Sequence, residues 1–210
     1  MEVTASTDPP LATGADTVAI GVFEDEGIAR DLPDGALEAL LDRGEGGRSL
    51  GQVAMVHHEG VRVLVIGLGA RTEFDFERAR RAAARAHTRA RQLSARRLCW
   101  ELPPRVGPEI AEGLISGTVL AAYRFTRYRP APLGEAALEA LIIRAGEDIS
   151  GTVRRAAVLA AAQNRARSLA NTAPNDLTPT ALADYARELA GRHDGLEVTV
   201  LDGAQIRDRG

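Results

Sequence analysis

Lysine is absent from the chain, so all 26 basic residues are arginine. No lysine is available as a general base, a Schiff-base former or an electrophile. A single cysteine, Cys99, excludes an internal disulfide and fits a reducing compartment. Long apolar runs are missing too. The longest uncharged stretch near the middle, Gly113 to Tyr123, falls well short of the roughly 20 residues a membrane-spanning helix requires. The first residues carry Glu2 and Asp8 ahead of Pro9-Pro10, with neither a basic region nor an apolar core, which is not the pattern of a signal peptide. The expected location is therefore the cytoplasm, with no membrane partner. No Gly-x-Ser-x-Gly elbow marks a serine hydrolase, and no internal repeat or low-complexity segment is visible.

The 210 residues, 45% hydrophobic and 26% charged, are ordinary for a globular chain large enough to bury a core. A net charge of -3 points to neither a polyanion nor a membrane partner. Strands are expected at 17–23, 53–58, 61–68, 97–102, 138–144 and 196–201. Glu59-Gly60 between the second and third is hairpin spacing. Helices are expected at 34–41, 76–93, from 108 onward, 152–170 and 179–190. The clearest is the second, where Phe76, Ala79, Ala83, Ala86, Ala90 and Leu93 recur at steps of three and four. In the helix from Pro108, Ile110, Leu114, Gly117, Ala121 and Phe125 share a face. Alternating strands and helices with one hairpin predict an α/β fold, a mixed sheet flanked by helices.

Between two helices lies Asn171-Thr172-Ala173-Pro174-Asn175-Asp176-Leu177-Thr178-Pro179. Its prolines and Asn/Asp residues make it a rigid bend, and Thr178 fits a helix N-cap with Pro179 at the first helical position. The expected organisation is a flexible tail at 1–15, an α/β domain at 16–150, a connecting helix and bend at 151–178, and the opening of a second domain at 179–210, too short to complete it.

Residues with chemical potential are scattered. His57 and His58 are neighbours on a strand and so point to opposite faces, unable to grip one metal. His87 lies on the arginine-rich helix and His193 in a turn, neither within a cluster. Gly67-Leu68-Gly69 follows a strand, but the third glycine of a dinucleotide fingerprint would fall at Thr72, so a structural turn is expected. Cys99 between Leu98 and Trp100 reads as a packed thiol. Asn175-Asp176 is explained by turn and cap geometry. The stretch from Arg71 to Arg105 holds ten arginines against four acids; it reads as a solvated helix face or as a surface for phosphate backbones.

Several segments resemble the leucyl (cytosol) aminopeptidase family. Leu169 to Pro179 is similar to the family's junction between its N-terminal and catalytic domains, with Ala173 where a second proline is usual. Ala111-Glu112-Gly113-Leu114 through Ala121-Ala122-Tyr123-Arg124-Phe125-Thr126-Arg127-Tyr128 is similar to an "AEG…GAYRFDRYK" segment, with Thr126 in place of Asp and Arg129 where Lys is common. Val63 to Gly69 resembles an "LVGLG" strand end, and Leu196 to Asp202 an "LEVEVLD" strand. The segments occur in the family's order across nearly the whole chain. The resemblance implies a macro-domain-like N-terminal domain of a metal-dependent aminopeptidase. That enzyme removes N-terminal residues from peptides with two divalent ions, manganese or zinc, in a homohexamer. It also implies that the metal-binding and catalytic motifs lie beyond the bend, where nothing in this chain matches them. No residue here is therefore assigned a catalytic, cofactor-binding or metal-binding role, and the chain alone is expected to be inactive. The competing readings are a module binding a nucleotide, ADP-ribose or nucleic acid at Gly67–Gly69 or on the arginine helix, and a purely structural oligomerisation domain.

Overall fold

The computed structural model describes residues 1–28, 32, 34–129 and 137–209; Gly210, the last residue of the expected 179–210 segment, lies outside them. The chain divides into two compact units, Met1–Arg165 and Ala166–Gly210.

The first unit is built on a six-stranded sheet. Its strands are β1 (Glu2–Ser6), β2 (Thr17–Phe23), β3 (Val53–His58), β4 (Val61–Gly69), β5 (Arg97–Glu101) and β6 (Ala140–Arg144), in the order β1-β6-β5-β2-β4-β3. All neighbours are parallel except β3 and β4. Those two form the expected hairpin, with Glu59 and Gly60 at φ 48° and 80°, the left-handed pair that a two-residue turn requires. The sheet is mixed, as the sequence predicts.

Helices cover both faces, which explains why the inner strands are near-continuous apolar runs. On one face Ala19, Leu64, Ile66, Leu98, Trp100 and Ile143 pack under α2 (Phe76–Gln92), α3 (Pro108–Ala121) and the first turns of α4 (Ser150–Asn171). On the other, Val18, Ile20, Val63, Val65 and Cys99 pack against Leu37 and Leu40 of α1 (Ala36–Asp42). The alternation Val18/Ala19/Ile20 between the two clusters is the period of two expected of a strand buried on both sides. Asp75 caps α2 by accepting from the Arg78 N–H at 2.8 Å.

In three places the first unit departs from the sequence expectation. Residues 1–15 are not a loose tail: β1 pairs in parallel with β6 from Glu2↔Ala140 to Ser6↔Arg144. The alternating Val3 and Ala5 pack on the core, a pattern masked in the sequence by the prolines that follow. The apolar face of α3 does not run on to Phe125. The helix stops at Ala121, and Phe125 lies beyond it, edge-on to Tyr128 at 5.6 Å. On α2, Phe76 is exposed while Ala82 and His87 join the buried stripe.

In the second unit, Thr178 accepts from the Ala181 N–H at 3.2 Å and Pro179 opens α5 (Pro179–Ala190), as its sequence predicts. Asp202 and Gln205 form a reciprocal capping box at α6 (Gly203–Asp208). Residues 196–201, expected as a strand, form none. A β-strand needs a neighbour to bond to, and the described residues of this unit include no other strand.

Candidate functional site

The connections of the sheet diverge at its centre. From β2 the chain passes to the β3–β4 hairpin on one side; from β5, the other neighbour of β2, it passes to β6 on the opposite side. In open α/β sheets such a reversal leaves a crevice at the carboxyl ends of the strands, the usual place for a ligand. A crevice of about 440 Å³ lies there, lined by Ile20 and Gly21 of β2, by Glu101 and the loop after β5, and by Arg144 and the loop after β6.

Its floor is a buried ion pair. Glu101 ends β5 and Arg144 ends β6, opposite each other in register. Arg144 Nη1 donates to Glu101 Oε1 at 2.7 Å, and Arg144 Nε donates to the Asp8 carbonyl at 3.2 Å. The two side chains, Arg144 and Glu101, are 13% and 11% exposed, so the pair stands in a low-dielectric setting where each charge depends on the other. One wall is Leu102, Pro103 and Val106; Ile149 also lines the crevice.

The rim carries Arg105 and Glu147. Arg105 sits at φ 58°, a left-handed conformation uncommon for a residue other than glycine. Its guanidinium approaches Glu26 at 3.4 Å. Glu26 is already held on both oxygens by Arg71, whose hydrogen bond keeps that carboxyl below its usual range. Arg71 also donates to the Pro104 carbonyl at 3.1 Å and lies 4.0 Å over the Phe23 ring. One arginine thus ties the exit of β2 to the loop after β5 and fixes one side of the crevice.

The residues singled out in the sequence lie elsewhere. His57 is exposed and His58 largely covered, at consecutive and hence opposite positions on β3. At Gly67 a Cβ would collide with the Ser49 carbonyl, so this glycine serves the close approach of the 47–49 loop, and Gly69 turns the chain at φ 77°. Asn175-Asp176 forms the bend, the Asp176 N–H donating to the Ala173 carbonyl at 2.9 Å. Of the ten arginines from 71 to 105, at least five (71, 78, 80, 96 and 105) meet carboxylates among the described residues, so the face is less positive than its arginine count. Among the described residues no group of three or more His, Cys, Asp or Glu converges as a metal site, and no helix is long and apolar enough to cross a membrane.

Two buried groups give direct tests. Burial pushes the Cys99 thiol up to about 11, so a thiol reagent at mild alkaline pH should label it only when the chain is unfolded; rapid labelling of the native chain would contradict its placement. His87 is also buried, its Nδ1 without a hydrogen-bond partner among the described residues. Desolvation first, then the charges of Arg91 and Arg124, hold its pKa below the ordinary histidine value. The unfolded chain therefore binds this proton more readily. Stability should be level above the unfolded value and fall as pH drops below it towards the folded value. His87→Met should flatten that part of a urea-midpoint profile.

Sequence reasoning missed Glu101, Arg144 and Glu147. The available signal was a charged residue closing each of two apolar strands, Leu98-Cys99-Trp100-Glu101 and Leu141-Ile142-Ile143-Arg144; only the parallel pairing of β5 with β6 makes the two meet.

A covered mixed sheet with a switch-point crevice defines the class as a three-layer α/β domain. The sequence model of the N-terminal domain of the cytosol aminopeptidase family matches residues 19–132, and the chain belongs to that family. A probable cytosol aminopeptidase of Roseiflexus castenholzii is 36% identical over all of this chain and 44% of the relative. One from Solibacter usitatus is 33% identical over 96% of this chain and 42% of its own length. The chain thus spans less than half the length of these relatives. A mutant of tomato leucine aminopeptidase has the same fold, with a TM-score of 0.82 at 22% identity over 99% of this chain and 46% of that one. The bottromycin maturation enzyme BotP, in complex with Mn, gives 0.74 at 29% identity over 92% and 40%.

Proposed function

We propose that this chain acts as the non-catalytic N-terminal domain of a metal-dependent aminopeptidase that removes N-terminal residues from peptides. The observation that carries the reading is the family match over residues 19–132, together with relatives named as probable cytosol aminopeptidases that align along nearly the whole chain but over less than half of their own length. The peptidase chemistry then belongs to the part of such a protein that this chain does not match. Among the described residues no group of three or more His, Cys, Asp or Glu converges as a metal site, and the proposal gives none of them a step of the reaction. A pair of divalent ions, manganese or zinc, would be held elsewhere; the Mn complex of BotP, 29% identical here, supports manganese. In the same proposal the working protein is a cytoplasmic homohexamer, and the α/β domain serves assembly and access to the active site.

The test is a full-length protein carrying this domain. It should release amino acids from leucine anilide with added manganese, lose that activity to a chelator, and elute at the mass of a hexamer in light scattering. A full-length protein that is folded and metal-loaded yet hydrolyses no N-terminal residue from any peptide would remove the assignment.

A further inference from the structure

The charged groups around the crevice are unequally partnered. On the floor Arg144 and Glu101 neutralise each other. At the rim, exposed Arg105 has, among the described residues, only its 3.4 Å approach to a Glu26 that Arg71 already occupies. Glu147, on the loop after β6, lines the same crevice and has no ion-pair partner among the described residues. The mouth thus presents one loosely held cation and one uncommitted anion above apolar walls of Leu102, Val106 and Ile149. A small molecule that satisfies this set brings one carboxylate and one ammonium on a compact apolar body.

We propose that the crevice is a binding site for a free apolar α-amino acid, its carboxylate on Arg105, its ammonium on Glu147 and its side chain against Leu102, Val106 and Ile149. About 440 Å³ is within the range of small-ligand sites. Charge-assisted contacts to each end of the zwitterion give orientation. A nucleotide fits less well. Among the described residues no aromatic ring lines the crevice to stack a base, and the two arginines lining it are balanced by two glutamates, so a phosphate meets no net positive charge from them. That the ligand belongs to the class of molecule an aminopeptidase releases rests on the proposed function; the binding itself does not, and it is read on this chain without any peptidase assay.

The experiment is an amide NMR titration of the ¹⁵N-labelled 210-residue chain with L-leucine. Saturable shifts should appear at Gly21, Leu102, Arg105 and Gly146, with a Kd on the order of 1 mM. Leucinamide, without the carboxylate, and 4-methylpentanoate, without the ammonium, should each bind roughly tenfold more weakly. Glu147→Gln should lose roughly tenfold for leucine but nothing for 4-methylpentanoate; as Glu147 is exposed, the remaining amide spectrum should stay native. No shift at about 50 mM leucine, a level far above that Kd, overturns the proposal. So does equal binding of leucine and its two analogues, or tighter binding of AMP or ADP-ribose than of leucine.

Discussion

Gly117→Val should unfold the chain or come close to it. Gly117 lies where α3 crosses α2: a Cβ there collides with the Arg80 carbonyl and stands 2.9 Å from the Ala83 Cβ. One helical turn earlier, a Cβ on Gly113 would stand 2.6 Å from the Phe76 carbonyl. The obstacles are backbone atoms and a methyl group, none of which can swing aside as a long side chain can. The helices must separate, and the alanines of the α2 stripe that face α3 then lose contacts with their neighbours. We expect a loss of about 3 kcal/mol or more in urea denaturation, at or above the top of the usual range for overpacking because backbone must move. The control is Gly151→Ala in the first turn of α4, where a Cβ meets nothing within 4 Å; it should be neutral or stabilise by up to about 1 kcal/mol. Equal effects from the two variants would show that α2 and α3 are not in close contact at this point.

Arg144→Met should be the most damaging change within the crevice. It removes the counter-charge of Glu101, a carboxylate whose residue is 8% exposed, and the donor to the Asp8 carbonyl that holds the chain after β1. Breaking a buried pair from one side costs about 3–5 kcal/mol, whereas replacing both partners by neutral groups of similar shape costs much less. The double variant Arg144→Met/Glu101→Gln should therefore be more stable than Arg144→Met alone, a non-additivity that a double-mutant cycle measures from urea midpoints. Additive losses would mean that the two charges do not depend on each other.

These two sites also show what a linear sequence discloses. The strands at 17–23 and 53–58 and the hairpin through Glu59-Gly60 were legible because apolar runs and a two-residue turn are local signals, carried within about ten residues. The Thr178-Pro179 start of α5 was legible for the same reason. What escaped was decided by partners far along the chain. β1 is a strand because Ala140–Arg144 offers it an edge, and residues 196–201 are not one because the described part of their unit offers none. The Gly113/Gly117 notch could be read only as helix spacing, since the requirement for small residues comes from α2. The crevice was invisible in sequence: Glu101 and Arg144 are separated by 43 positions and meet only through the pairing of β5 with β6. The motif resemblance reached further than periodicity because it carried the fold as a whole, but it could not indicate which of this chain's own side chains face the switch point.

If this chain supplies an α/β domain of an aminopeptidase without the peptidase chemistry, the most direct measurement is leucine anilide hydrolysis by the purified 210-residue chain across a manganese and zinc titration. Release no faster than the metal-only blank is expected at every metal concentration. Release that scales with the amount of chain, requires the metal and stops on adding a chelator would contradict that division of labour.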